Sequence, residues 1–99
     1  GLVIVFYNGS NDKSYFAHDL DSCSTDENGY FVLGNTAVSG VDKTFPNGGL
    51  QNGADAVALF TGDATDFPNG TSLSTINLVD ALVYDTGDAD DDELLVFIS

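Results

Sequence analysis

Positive charge is what this chain most lacks: Lys13 and Lys43 are its only basic residues against 16 acidic ones, for a formal net charge of −14. A surface of that sign repels phosphate backbones and anionic head groups, so neither nucleic-acid binding nor polybasic docking to a membrane is expected. Cysteine is limited to Cys23, which excludes an internal disulfide and a Cys-rich zinc site. The longest unbroken apolar run, Leu2–Tyr7, is far short of the roughly 18 residues that cross a bilayer, so no membrane insertion is expected. Methionine is absent even at position 1, and no basic leader precedes the first apolar run. The expectation is a processed or excised piece, with any targeting signal outside these residues. The lone His18 has no Gly-x-Ser-x-Gly element to activate, and the single Cys23 makes no recognisable catalytic motif with it, so catalysis is not expected.

Also missing is any sustained apolar period of the helical kind. What is present is 42% hydrophobic content and 11 aromatic residues, enough apolar surface for an acidic chain to fold. At 99 residues that means one small domain, residues 1–99. Eleven glycines and many Asn and Asp residues cut the sequence into short apolar segments, which favours strands and turns. Strands are expected at Leu2–Tyr7, Gly29–Leu33, Ala56–Thr61, Leu78–Tyr84 and Leu94–Ile98, with a weaker one at Ser14–His18.

Both faces of Ala56–Thr61 are apolar, so it is expected at the centre of a sheet. In Leu78–Tyr84, strict alternation puts Val79, Ala81 and Val83 on one face and Leu78, Asp80, Leu82 and Tyr84 on the other. The fold class expected is all-β, an immunoglobulin-like β-sandwich of about six to seven short strands. Its core is expected to hold Val3, Val5, Phe31, Leu33, Val57, Leu59, Leu82, Val83, Leu95 and Phe97. Two long connections, 34–53 and 61–74, must be anchored by their own side chains or be mobile, with Phe45 and Leu50 the candidate anchors in the first.

Three segments together resemble the lamin-tail domain: Gly29-Tyr30-Phe31-Val32-Leu33-Gly34, then Leu50-Gln51-Asn52-Gly53-Ala54-Asp55-Ala56-Val57-Ala58-Leu59, then Leu78-Val79-Asp80-Ala81-Leu82-Val83-Tyr84-Asp85. The resemblance covers about two-thirds of the chain and implies an immunoglobulin-like sandwich used as a non-catalytic extracellular module. Members of that family begin with a strand that carries an acidic-Phe-x-Glu-Leu pattern, and that strand is missing here. Its absence implies an open sheet edge beside Leu2–Tyr7 and either a homo-oligomer or fibrous assembly built by strand addition or exchange, or an N-terminally incomplete domain whose first strand belongs to the same polypeptide.

Two further features could carry chemistry. Asp85, Asp88, Asp90, Asp91 and Asp92, next to Glu93, offer the oxygen-rich cluster that Ca²⁺ wants, although the spacing is not that of an EF-hand. Ser24, Asp26 and Asn28 before Gly29 imitate the start of an EF-hand loop but lack its closing Glu. For both stretches the alternative is a solvated acidic turn, and beside Leu94–Ile98 the acids can also act as gatekeepers against aggregation. The sequons Asn8-Gly9-Ser10 and Asn69-Gly70-Thr71 sit in turn sequence, where N-glycans would be accepted in a secreted, extracellular protein. Two function classes therefore stand: a structural or assembly module, and a calcium- or glycan-binding accessory module of a larger secreted protein.

Overall fold

β-Branched and aromatic residues dominate the segments that become strands, and Gly, Asn and Asp close them. The computed structural model describes residues 1–85 and 92–97. Among these residues six strands follow in chain order: β1 (Leu2–Asn8), β2 (Lys13–Asp19), β3 (Leu33–Gly34), β4 (Lys43–Thr44), β5 (Asp55–Thr61) and β6 (Leu78–Tyr84). Among the described residues, helical structure is confined to the short 3-10 turns Ala64–Asp66 and Leu94–Phe97, and the fold is all-β. Among the described residues no helix is long and apolar enough to cross a membrane. The chain divides into two compact units, residues 1–21 with 52–99 and residues 22–51.

The larger unit is an antiparallel sheet in the order β2-β1-β5-β6. β1 is therefore an interior strand, paired with β2 on one side and with β5 over its whole length on the other. This corrects the expectation of an open edge beside Leu2–Tyr7. Among the described strands, the outer ones are β2 and β6. β5 lies between β1 and β6, at the centre, as its doubly apolar sequence requires.

One sheet face carries Val3, Val5 and Tyr7 from β1 and Ala56, Ala58 and Phe60 from β5, closed over by Leu94 and Phe97. Tyr7 meets Phe97 at 5.3 Å and Phe60 at 6.4 Å between ring centroids, and Phe67 covers Phe60 at 4.6 Å. Of the expected core, Val3, Val5 and Phe97 are buried. Val57, Leu59, Phe31, Leu33 and Val83 are only half-buried, and Leu82 and Leu95 are exposed. The error came from choosing the wrong face of β5: its small Ala56 and Ala58 leave room for the large Tyr7, Phe60 and Phe97, so the core is packed by alternating sizes.

Two bulges adjust the faces. Tyr15 is the extra residue on β2, because Phe6 pairs with Phe16 and Tyr7 with Ser14. Val79 is the extra residue on β6, because Leu59 pairs with Asp80 and Phe60 with Leu78. The second bulge turns Leu78 onto the core face with Ala81 and Val83 and leaves Val79 exposed. Strict alternation along Leu78–Tyr84 is thus corrected at its first two residues.

Two more expected strands differ. Leu94–Phe97 is a 3-10 turn whose Leu94 and Phe97 point into the core, and Ile98 lies outside the described residues. Of Gly29–Leu33, only Leu33 enters a strand; in the smaller unit β3 pairs with β4 in parallel, Leu33 opposite Lys43. That pair is extended by side chains: the Asp42 carboxylate accepts from the Val32 N–H at 2.8 Å. Phe45 is half-buried beside Gly49, whereas Leu50 is exposed.

The 61–77 connection is tied down by Ser14, which is buried on β2. Its carbonyl accepts from the Gly70 N–H at 2.8 Å, and its N–H donates to the Thr71 carbonyl at 2.9 Å. Its hydroxyl donates to the Pro68 carbonyl at 3.0 Å and accepts from the Thr71 N–H at 3.0 Å. A bridge between Lys13 and Ser72 continues the contact, so part of the outer side of β2 is occupied.

Candidate functional site

β6 supplies the most distinctive surface. It is a seven-residue edge strand beyond which no described strand lies, and it exposes Val79 and Leu82, 54% and 63% accessible. On the face opposite the core, a shallow hollow of about 320 Å³, bordered in part by the core-facing Ala58 and Ala81, is surrounded by Ile4, Val57, Leu59, Asp80 and Leu82. The hollow follows from the period of two: these residues alternate with Val3, Val5, Ala56 and Phe60, which take the core face. Farther along that face toward β2, Phe6, Phe16 and His18 stack in sequence, at 4.6 Å and 5.6 Å between neighbouring rings. His18 is thus half-buried in an aromatic row. Asp80 stands exposed at the rim of the hollow, where its carboxylate accepts the N–H of Ala81 at 2.9 Å.

A carboxylate on an edge strand has a physical purpose. An unpaired strand edge is a template for any passing chain, and an acidic side chain that occupies one of its N–H groups blunts that template. The chemistry available at β6 is therefore main-chain hydrogen bonding beside an apolar hollow, with a single negative charge at its rim.

A second cluster lies at the opposite edge of the sheet, beside β2. Asp19 at the end of β2, Asp21 just after it and Asp63 before the Ala64–Asp66 turn bring three carboxylate oxygens within 4.8 Å of one another. Asp19 is already engaged, accepting the Ala64 N–H at 2.6 Å, and Asp21 lies 3.5 Å from the amino group of Gly1. The charge of Asp21 pushes the Asp63 carboxyl above its ordinary range, as expected when two carboxylates share a site. Sequence reasoning missed this trio because its members come from segments more than 40 residues apart, 19–21 and 63, brought together only by the docking of the 61–77 connection.

The acidic stretch singled out from the sequence fares differently. Asp85 and Asp92 are exposed, Asp85 with a positive φ of 58° immediately after β6, while Asp88, Asp90 and Asp91 lie outside the described residues. Asp26, in the EF-hand-like stretch, turns its carboxylate inward to accept the N–H groups of Asn28 and Tyr30, both at 2.9 Å, so it acts as a turn cap. Of the two sequons, Asn69 is exposed in the Pro68–Thr71 turn, whose Gly70 has a φ of 93°. Asn8 departs from the expected exposure: it is half-buried at the end of β1, and its side-chain oxygen accepts from both the N–H and the hydroxyl of Ser10 at 2.9 Å. Cys23 is half-buried and free.

A third polar feature is structural. Asp55, 2% accessible, accepts the N–H of Gly9 at 3.1 Å and so pins the β1–β2 turn to the start of β5. Burial, with help from Tyr15 and Asp55, holds the Tyr84 phenol far above its ordinary range. Comparison with protein-family models, with curated proteins and with solved structures returns no match, so the likeness to lamin-tail domains rests on the three motifs alone.

Proposed function

We propose that the chain is a non-catalytic, extracellular structural module of the lamin-tail type that works by accepting an added strand at the outer side of β6. The single observation that carries this reading is the β6 edge itself: seven residues long, flanked by exposed Val79 and Leu82, and bordered by an apolar hollow. An added strand gains main-chain hydrogen bonds from the edge and side-chain burial from the hollow, which are the two sources of affinity in strand addition. The same reading takes the four-stranded sheet as one layer of an immunoglobulin-like sandwich and the exposed Asn69 as a glycan acceptor. A head-to-tail contact of this kind need not close, which is the route from a docking edge to a filament.

The test is amide hydrogen exchange along β6. The protein is followed from micromolar to millimolar concentration, and then with capped strand-forming peptides of neutral, basic and acidic character. Added protection at Ala81–Tyr84 in at least one condition is expected. Unchanged exchange in every condition would overturn the strand-docking reading.

A second reading is favoured by the trio of Asp19, Asp21 and Asp63, whose three carboxylates can offer up to six oxygens to a hard cation. It makes the chain a calcium-binding accessory module. Calorimetry and melting with millimolar Ca²⁺ decide it: binding to the folded state must raise the melting temperature, and Asp63→Asn must abolish the rise.

A further inference from the structure

The strand-docking reading leaves the occupant of β6 open, and charge selects among the candidates. Resting on that reading, we infer that the occupant is an extended segment of another protein with a lysine or arginine two residues from an apolar side chain, and that it is not a second copy of this chain. The first observation is the isolation of Asp80. Among the described residues it has no cationic partner, and its carboxylate is committed only to the neighbouring Ala81 N–H at 2.9 Å. The whole chain has two cations with which to serve 16 acids. One of them, Lys13, belongs to β2 at the opposite edge of the sheet and donates to the Ser72 hydroxyl at 2.7 Å.

The second observation is spacing. Asp80 and Leu82 both line the hollow, so they share a face two residues apart. An incoming antiparallel strand sets one side chain opposite each, also two apart and on the same face. The residue opposite Leu82 packs against Leu82 at the near side of the hollow and is apolar. The residue opposite Asp80 stands at the rim, where a lysine or arginine meets an exposed carboxylate.

A cation there also draws the carboxylate away from Ala81 and frees that N–H for a carbonyl of the incoming strand. Asp80 thus guards the edge against neutral and acidic strands and admits basic ones. A second copy is the poorest candidate on this account. Antiparallel pairing of two β6 strands about Ala81 places their two Asp80 residues diagonally on one face, and it joins two bodies that each carry a formal charge of −14.

The experiment uses the intact chain and the capped peptide Thr-Thr-Val-Thr-Lys-Thr-Thr, whose valine and lysine match Leu82 and Asp80 in antiparallel register. The comparison peptides carry Glu in place of Lys, or the Lys moved by one residue so that it faces away. Binding is read from amide shifts and exchange at Ala81–Tyr84 at low ionic strength. The matched peptide is expected to bind about tenfold more tightly than either comparison peptide. Asp80→Asn should remove that preference, the exposed control Glu27→Gln should leave it intact, and Asp80→Lys should transfer it to the Glu peptide.

Equal binding of all three peptides, or a preference that survives in Asp80→Asn, overturns the inference while strand docking stands. Self-association through β6 that the matched peptide does not displace makes a second copy the occupant and overturns it too. If neither peptide nor a second copy protects β6, the strand-docking reading falls with it.

Discussion

Replacing Asp55 with alanine should be among the most damaging single changes to a polar residue in this chain. Its carboxylate is 2% accessible and accepts the Gly9 N–H at 3.1 Å, in a turn where Gly9 is itself buried. Removing the acceptor forfeits a charge-assisted hydrogen bond, worth about 1.5–3 kcal/mol, and strands a buried donor at a cost of about 1–3 kcal/mol. These two figures overlap in what they count, so about 2–4 kcal/mol is the reasonable total. The Tyr84 hydroxyl, 3.5 Å from the other carboxylate oxygen, is too far away to add much.

A domain of this size is stable by roughly 5–15 kcal/mol, so the variant should still fold. With a urea slope of about 1.5 kcal/mol/M, its midpoint should fall by roughly 1–3 M. Asp55→Asn keeps an acceptor oxygen in the same place and should lose only about 1 kcal/mol. Hydrogen exchange supplies the local check, because the Gly9 amide should exchange far faster in the alanine variant than in the asparagine one. An alanine variant within about 0.5 kcal/mol of the parent, with Gly9 still protected, would refute the claim that Asp55 pins this turn.

Phe60→Ala should cost about 3–5 kcal/mol in denaturant unfolding, since the ring is fully buried between Tyr7 and Phe67 and only partial collapse can follow. Tyr7→Phe should be neutral or stabilising by up to about 1 kcal/mol, because the buried Tyr7 hydroxyl has no hydrogen-bond partner among the described residues. Burial pushes the Tyr7 phenol up to about 12, so the unfolded chain releases this proton first, and its contribution to stability is complete below about pH 10 and lost as pH rises through about 12. Alkaline unfolding monitored by tyrosine absorbance should accordingly be less steep over that window in Tyr7→Phe. Leu82→Ser should change stability by less than about 0.5 kcal/mol while weakening any association at β6, and a large loss on thermal melting would mean that Leu82 is covered in the folded protein.

Strand placement was legible wherever a continuous apolar run coincided with a strand of full length. β1, β5 and β6 answer to Leu2–Tyr7, Ala56–Thr61 and Leu78–Tyr84 almost residue for residue, and β2 to the weaker Ser14–His18. Leu94–Phe97 misled because a short apolar run reads alike in a buried strand and in a buried turn of helix, and only tertiary packing on Tyr7 decides. Gly29–Leu33 misled for a different reason. Asp26 captures the N–H groups of Asn28 and Tyr30, and a strand would need to leave those groups for a ladder.

Side-chain direction was less legible than strand position, and that bears directly on the site. Alternation alone cannot locate a bulge, so the swap of Leu78 and Val79 is invisible in the sequence. Nor can it say which face of a doubly apolar strand is the core: Val57 and Leu59 are larger than Ala56 and Ala58, and composition favours the wrong pair. The small alanines face the core where β1 and the Leu94–Phe97 turn fill that side with Tyr7 and Phe97, which leaves little volume at those two positions for larger side chains. The consequence is that Val57 and Leu59 are displaced to the other face, where with Ile4 and Leu82 they line the hollow beside Asp80. A core packed by large aromatics against small alanines and an apolar hollow beside an acidic edge are therefore two results of one choice of register. Ala58→Val tests that link: the added methyl groups should overpack the core by about 1–3 kcal/mol, and a lower cost than this would mean that the core has slack and does not dictate which face Val57 and Leu59 occupy.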